Sequence, residues 1–222
     1  IIAFVMFVWY FGKKIIGSYN DFVPLKDYED VIRDLSEDET VPKYFSNLIY
    51  LTNSPNSRLI ESKIIYSILK SRPKRADVYW LVHVHVSDSP FQNDYKVKFF
   101  QDKHIIRVDF YLGFKLTQRL NVLLRQVIED LVVSKEIDFI SNYPSLHKYH
   151  IPSDFKYVIV KKQISYDSKL PWYDSIIIGV YGLLRKLSLS GGDSFGLDKG
   201  SVLVEDYPLV LHPVSMPMNR IY

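Results

Sequence analysis

The chain has 222 residues, with 28 Lys and Arg against 25 Asp and Glu, a formal net charge of +3, and no cysteine. This length is enough for one domain with a hydrophobic core, and so weak a positive charge gives no argument for a nucleic-acid partner. The lack of cysteine excludes disulfides, cysteine-ligated zinc and cysteine nucleophiles, and it fits a reducing compartment.

The chain opens on an apolar run that carries no charge before Lys13 and Lys14. As a helix this run would reach about 18 Å, too short for a bilayer core of roughly 30 Å. We therefore interpret residues 1–16 as the C-terminal half of a transmembrane helix, the last one of a longer protein. Trp9 and Tyr10 would be its aromatic anchors at the membrane interface, and the two lysines its positive-inside charge. The alternative is a buried N-terminal helix or strand of a soluble domain.

An acidic linker, residues 17–43, is expected next. Residues 26–35 carry apolar side chains at helical spacing and predict a short amphipathic helix with an acidic outer face. The acidic residues after it are interpreted as a solvated connection, or as a segment that the anionic leaflet repels. An α/β domain over 44–213 and a frayed tail over 214–222 complete the predicted organisation.

Residues 47–52 form a compact apolar run that predicts a buried strand, and 77–86 form a second, longer one. Between them, residues 58–70 repeat isoleucine and leucine at three- and four-residue steps, which predicts an amphipathic helix. Strand, helix and strand in this order form a βαβ unit, so the two strands should be parallel.

Two further strands, 95–100 and 104–110, are separated by three residues and predict an antiparallel hairpin. The predicted fold class is therefore α/β, with a mixed sheet containing a parallel βαβ unit and an antiparallel hairpin, preceded by the truncated transmembrane helix. The later elements are a helix over 116–131, an irregular segment over 136–149, a strand over 155–161, an apolar helix over 172–187 and a strand region over 201–211.

Few residues suggest catalysis. His83 and His85 share one face of a strand, a spacing that can ligate a metal or can simply cover the sheet. His147 and His150 offer a weaker pair of the same kind. The glycine-rich segment 190–196 matches no phosphate-binding motif. We therefore expect no enzyme, no cofactor and no metal site.

One loop has a physical argument for binding. In open α/β sheets, ligands collect beyond the carboxyl ends of parallel strands, at helix N-termini. Asn53, Ser54, Asn56 and Arg58 follow the first predicted strand and offer amide, hydroxyl and guanidinium donors to an anionic ligand. The alternative is ordinary helix capping. The basic residues of the following helix and its exit could equally face the inner leaflet of a membrane.

The order of these features resembles the C-terminal part of the Kup (HAK/KUP/KT) potassium uptake transporters. Residues 41–52, Val-Pro-Lys-Tyr-Phe-Ser-Asn-Leu-Ile-Tyr-Leu-Thr, are similar to the family's VPR-x-x-G-x-x-V-F-L-T strand. Residues 77–84 resemble its second strand, 106–114 its Y-R-V-x-x-x-Y-G-F strand, and 202–210 more loosely its V-E-L-G-x-Q-V-E-L ending. The aromatic and basic flank over 7–14 resembles the end of the last membrane span.

The resemblance implies potassium uptake across the cell membrane by a multi-pass protein, coupled to proton symport, with this domain in the cytoplasm. It places the potassium and proton sites among membrane helices outside this chain. The domain's role would be regulatory or structural, through homodimer contact or a cytoplasmic nucleotide-type regulator.

Two other hypotheses stay open. One is a membrane-anchored α/β ligand-binding module that takes no part in transport. The other is a small α/β enzyme, because a fold alone does not fix a function.

Overall fold

The computed structural model describes residues 2–18, 21–70, 72–116, 119–141, 143–164, 176–177, 179–182, 184 and 202–209. The chain divides into two compact units, each taken by itself below. The terminal unit comprises residues 1–20, 161–189 and 206–222, and the α/β unit comprises residues 21–160 and 190–205.

The described part of the chain forms both helices and strands, interspersed along the sequence. They are α1 (Ile2–Ser18), β1 (Phe22–Pro24), α2 (Lys26–Glu37), β2 (Asn47–Leu51), β3 (Leu59–Glu61), α3 (Ser62–Ile65), β4 (Val78–Ser87), β5 (Asn93–Phe100), β6 (Ile105–Gly113), α4 (Leu120–Val133), α5 (Pro144–His147), β7 (Phe155–Ile164) and β8 (Val202–Leu209).

The main sheet has the strand order β5-β6-β4-β2-β7-β8. Strand β2 is parallel to β4 on one side and to β7 on the other, and β4 is parallel to β6. Strands β5 and β6 are antiparallel, joined by a turn over Gln101–Lys103. The parallel pairing predicted for β2 and β4, the hairpin and the mixed α/β fold are therefore confirmed.

Packing explains why these runs are strands. Strands β2, β4 and β6 are almost continuously apolar, as strands covered on both faces are. Helix α4 repeats apolar residues on one side and packs them with Ile49, Trp80 and Val108 in one core cluster. Tyr50 alternates to the other face and lies with its hydroxyl 3.3 Å from Ser67. The sheet is therefore covered on both faces around β2.

The helix expected over 58–70 is replaced by three short elements. Residues 59–61 form β3, which pairs antiparallel with β1, with Val23 opposite Ile60. A single α-helical turn follows, and residues 66–70 form a π-helical turn. The apolar residues of 58–70 have helical spacing throughout. The backbone hydrogen-bonding groups of 59–61 nevertheless pair with β1 instead of forming helical hydrogen bonds, so tertiary contacts override the local preference.

The other boundaries move by a few residues. The helix predicted over 116–131 begins at Leu120 and ends at Val133. The linker helix extends to Glu37, and among the described residues of the irregular segment the one helix is the short α5. The strand expected over 155–161 runs on to Ile164, and the last strand is described over Val202–Leu209. The loop 190–196 and the tail 214–222 lie outside the described residues.

In the terminal unit, α1 contacts a second helical stretch, the described residues between 176 and 184, where the apolar helix was predicted. The rings of Trp9 and Tyr181 are 5.4 Å apart. A Cβ atom at Gly12 would lie 2.5 Å from the Tyr181 ring, so only glycine permits this close approach. Tyr10 is 61% exposed, and Lys14 is exposed as well.

No helix among the described residues combines the length and the apolar character needed to cross a membrane.

Candidate functional site

The carboxyl ends of the parallel strands enclose a small cavity. The backbone N–H of Thr52 donates to the carbonyl of Val82 at 2.9 Å, which joins β2 to β4 where β2 ends. His83 Nδ1 lies 3.0 Å from the carbonyl oxygen of Thr52, which fixes the imidazole ring at the cavity wall. The cavity has a volume of about 170 Å³. It is lined by Leu51, Thr52, Asn53, Lys63, Val82, His83, Val84, Ile159 and Val160.

A buried carboxylate organises the polar side of this cavity. Glu61 accepts hydrogen bonds from the backbone N–H of Asn53 at 3.1 Å and from its Nδ2 at 3.1 Å. Lys63 Nζ lies 3.1 Å from the same carboxylate. Glu61 is almost completely buried, so these donors compensate a charge that would otherwise be costly to bury. Two polar residues of the cavity lining, Asn53 and Lys63, are therefore both held by Glu61, while most of the other lining side chains are apolar.

The loop after Asn53 is held from inside the domain by Arg107, a fully buried arginine on β6. Its Nη2 donates to the carbonyl of Ser54 at 2.5 Å, and its Nη1 donates to the carbonyl of Asn56 at 3.2 Å. Its Nε donates to Asp109 at 2.8 Å. One guanidinium thus joins a central strand to the loop at the strand ends.

The four residues predicted for an anionic ligand lie in this loop, but most of their polar groups have local partners. Asn53 is bonded to Glu61, as above. The Ser54 hydroxyl donates to the carbonyl of Asn56 at 2.9 Å, and the Asn56 side chain accepts the backbone N–H of Arg58 at 3.0 Å. Arg58 is exposed. The expected helix N-terminus does not follow the loop, because β3 begins there.

The two histidines predicted to share a strand face have different surroundings. His83 lies at the cavity wall, whereas His85 is exposed and stacks edge-on against Tyr111 at 5.6 Å. Among the described residues, no three His, Cys, Asp or Glu side chains cluster closely enough to hold a metal ion.

Sequence reasoning missed the roles of Arg107 and Lys63. The available signal was the alternation Arg107-Val108-Asp109, two charges inside an otherwise apolar strand. Charged residues in a central strand are almost never fully buried unless they are paired, so this pattern could have flagged a buried ion pair. The partner loop, about fifty residues earlier, could not have been identified from the sequence.

The fold defines an α/β domain with an open, largely parallel sheet and a small cavity at the carboxyl ends of its strands. A family model described as "K+ potassium transporter C-terminal domain" matches residues 46–209. The chain belongs to this family.

Several relatives are similar over the whole chain. It is 42% identical to the probable potassium transport system protein Kup of Cytophaga hutchinsonii, over 100% of this chain and 34% of the relative. The protein of the same name from Flavobacterium johnsoniae is 44% identical, over 98% of this chain and 33% of its own length. That from Clostridium perfringens strain SM101 is 38% identical, over 96% and 32%. The chain thus spans about a third of the length of these relatives. No solved structure matches it significantly.

Proposed function

We propose that this chain is the cytoplasmic regulatory and structural domain of a multi-pass potassium uptake transporter in the cell membrane, coupled to proton symport. The observation that carries the proposal is the family match over 46–209, together with relatives named as potassium transport proteins. The short apolar helix α1, with its exposed Trp9 and Tyr10 and the basic pair Lys13 and Lys14, supports a membrane helix at the start of the chain.

The domain itself would not carry the ion. Residues 2–11 of α1 contain no Asp, Glu, Lys, Arg or His, whereas ion paths through membranes are lined by buried carboxylates and backbone oxygens. No catalytic role is proposed either. A regulatory or structural role suits a well-packed domain that has a small cavity, with both polar and apolar lining, at its strand ends.

The proposal is tested by growth of a transport-deficient bacterium at limiting potassium. The complete gene that encodes this chain is compared with a version that ends after Thr40. We expect the complete gene to restore growth and the shortened one to restore it with altered dependence on potassium. Failure of the complete gene, with the protein present in the membrane, would favour the anchored module without transport.

For the regulator, we propose an anionic, nucleotide-type ligand at Asn53, Ser54, Asn56 and Arg58, with the cavity at its inner side. The exposed side chain of Arg58 supports this, because it follows the loop at the carboxyl end of β2 and carries a charge that an anion can approach from solvent. As a second means of regulation, we propose contact between two copies of the domain in a homodimer. The exposed Val132 and Val133 at the end of α4 are an apolar surface suited to it.

Arg58→Ala should weaken binding of a polyphosphate probe such as ADP by about 1–3 kcal/mol, since a charged hydrogen bond is lost. The measurement is isothermal titration calorimetry on the chain, with Arg72→Ala, another exposed arginine, as the control. Equal affinity in the wild-type chain and in both variants would remove this site from consideration.

A further inference from the structure

A groove lies between α4 and the beginning of β7. Ile49 on β2 and Tyr157 on β7 are register partners and line it from the sheet, while Leu124 and Ile128 line it from α4. Its volume is about 600 Å³, within the range of sites that bind small organic molecules, and most of the side chains that line it are apolar. The groove shares no lining residue with the cavity at the strand ends, so the two are separate.

One buried tyrosine of the groove has a hydroxyl group without a partner. Tyr157 is 1% exposed, and among the described residues its hydroxyl has no hydrogen-bond partner. The comparably buried Tyr50 and Tyr79 both have one. The Tyr50 hydroxyl lies 3.3 Å from Ser67 Oγ, and the Tyr79 hydroxyl donates to the carbonyl of Lys74 at 2.7 Å. Because a buried hydroxyl without a hydrogen bond is costly, the Tyr157 hydroxyl is a donor that a ligand in the groove could use.

A cation stands next to this hydroxyl. Arg125 lines the groove from α4 and forms no ion pair with a described residue. Burial raises the pKa of Tyr157 and the charge of Arg125 acts in the opposite direction, which places the guanidinium close to the phenol. One turn earlier, Asn121 Oδ1 accepts the backbone N–H of Val122 at 2.9 Å, which leaves its Nδ2 as a third donor. Hydroxyl, guanidinium and amide donors therefore line the same part of an apolar groove.

The negative charges of the groove lie further along α4. Glu129 is one turn beyond Arg125, about 6 Å along the helix axis. Asp138 comes after the helix has ended, and its carboxylate accepts the backbone N–H of Ile140 at 3.1 Å. The remaining titratable group of the lining is His150. Since the amino end of α4 also carries partial positive charge, an anionic group is favoured beside the three donors and disfavoured at the other end.

We propose that the groove binds a small amphipathic carboxylate, such as a medium-chain fatty acid, with its carboxylate between the Tyr157 hydroxyl and the Arg125 guanidinium. Its apolar body would lie along α4, against Ile128 and Phe155. The positions of the charges favour an anionic over a cationic head, and the apolar lining favours a hydrocarbon body over a sugar or a nucleotide. This site goes beyond the proposed role in potassium transport and does not rest on it.

The test is calorimetric titration of the chain with decanoate below its micelle concentration. We expect saturable binding of one decanoate per chain, and weaker binding of decyltrimethylammonium, a cation with the same hydrocarbon chain. Arg125→Gln should weaken decanoate binding about tenfold and Tyr157→Phe about fivefold, because each removes one donor to the carboxylate. The matched control is Arg119→Gln, which removes an exposed arginine outside the lining and should leave the affinity unchanged.

Association of decanoate with the apolar surface of α1 does not obscure this result, because it does not depend on Arg125 or Tyr157. Tyr157→Phe should leave the free energy of unfolding unchanged, since no protein hydrogen bond is lost, so weaker binding would not reflect unfolding. Four results would overturn the proposal: no saturable binding, tighter binding of the cation, equal effects of Arg125→Gln and Arg119→Gln, or an affinity that falls as protein concentration rises. The last would show that a second copy of the chain occupies the groove. None of them bears on potassium-dependent growth.

Discussion

Arg107→Met should lower the free energy of unfolding of the chain by about 3–5 kcal/mol, because it leaves a buried carboxylate without its cation. Asp109 is 9% exposed at its side chain and bonds to Arg107 Nε at 2.8 Å. The carbonyls of Ser54 and Asn56 also lose their donor. The free energy of unfolding is measured by urea titration, with circular dichroism as the signal.

The matched control is Arg125→Met on α4, an exposed arginine, which should change stability by less than about 0.5 kcal/mol. The double variant Arg107→Met with Asp109→Leu should recover part of the loss, since no charge is then buried alone. A loss from Arg107→Met no greater than that from Arg125→Met would show that the guanidinium does not hold the loop.

Lys74→Met should cost about 3 kcal/mol of stability, since it breaks another buried pair. Lys74 Nζ lies 3.0 Å from Glu205 on β8 and donates to the carbonyl of Ser67 at 2.5 Å. The Ser67 hydroxyl donates to the same Glu205 carboxylate at 2.5 Å. Burial raises the pKa of Tyr50, so its hydroxyl stays neutral beside this pair. The contacts among Lys74, Glu205 and Ser67 connect residues 202–205 to the π-helical turn.

The measurement for Lys74→Met combines urea unfolding with amide hydrogen exchange. Exchange should accelerate in residues 202–205 more than in β6, because the lost contacts lie at Glu205. Lys70→Met, at an exposed position of the same turn, is the control and should leave both quantities nearly unchanged. Uniform acceleration across the sheet would contradict a local role for the pair.

The strands of the sheet could be predicted because their signal is local. Strands β2, β4 and β6 are short apolar runs bounded by turn residues, and burial on both faces requires such runs. The hairpin could also be predicted from local sequence, because only three residues separate its two strands. Parallel pairing followed from the order of strand, helix and strand.

The segment 58–70 shows where such reasoning ends. Its apolar spacing fits a helix, but β3 forms because β1, nearly forty residues earlier, pairs with it. The candidate site shows the same limit. The loop was located from the end of β2, whereas Arg107, which holds it, comes from a strand about fifty residues later. Contacts between distant segments decide both cases, and periodicity carries no information about them.

The central claim, that this chain belongs to a proton-coupled potassium uptake transporter, is tested most directly by reconstitution. The complete protein is purified and placed in liposomes that contain a pH-sensitive dye. Addition of external potassium should acidify the interior, whereas sodium should not, because protons would enter together with potassium. Potassium entry without acidification would contradict symport, and no potassium-dependent flux from correctly inserted protein would contradict the transporter assignment itself.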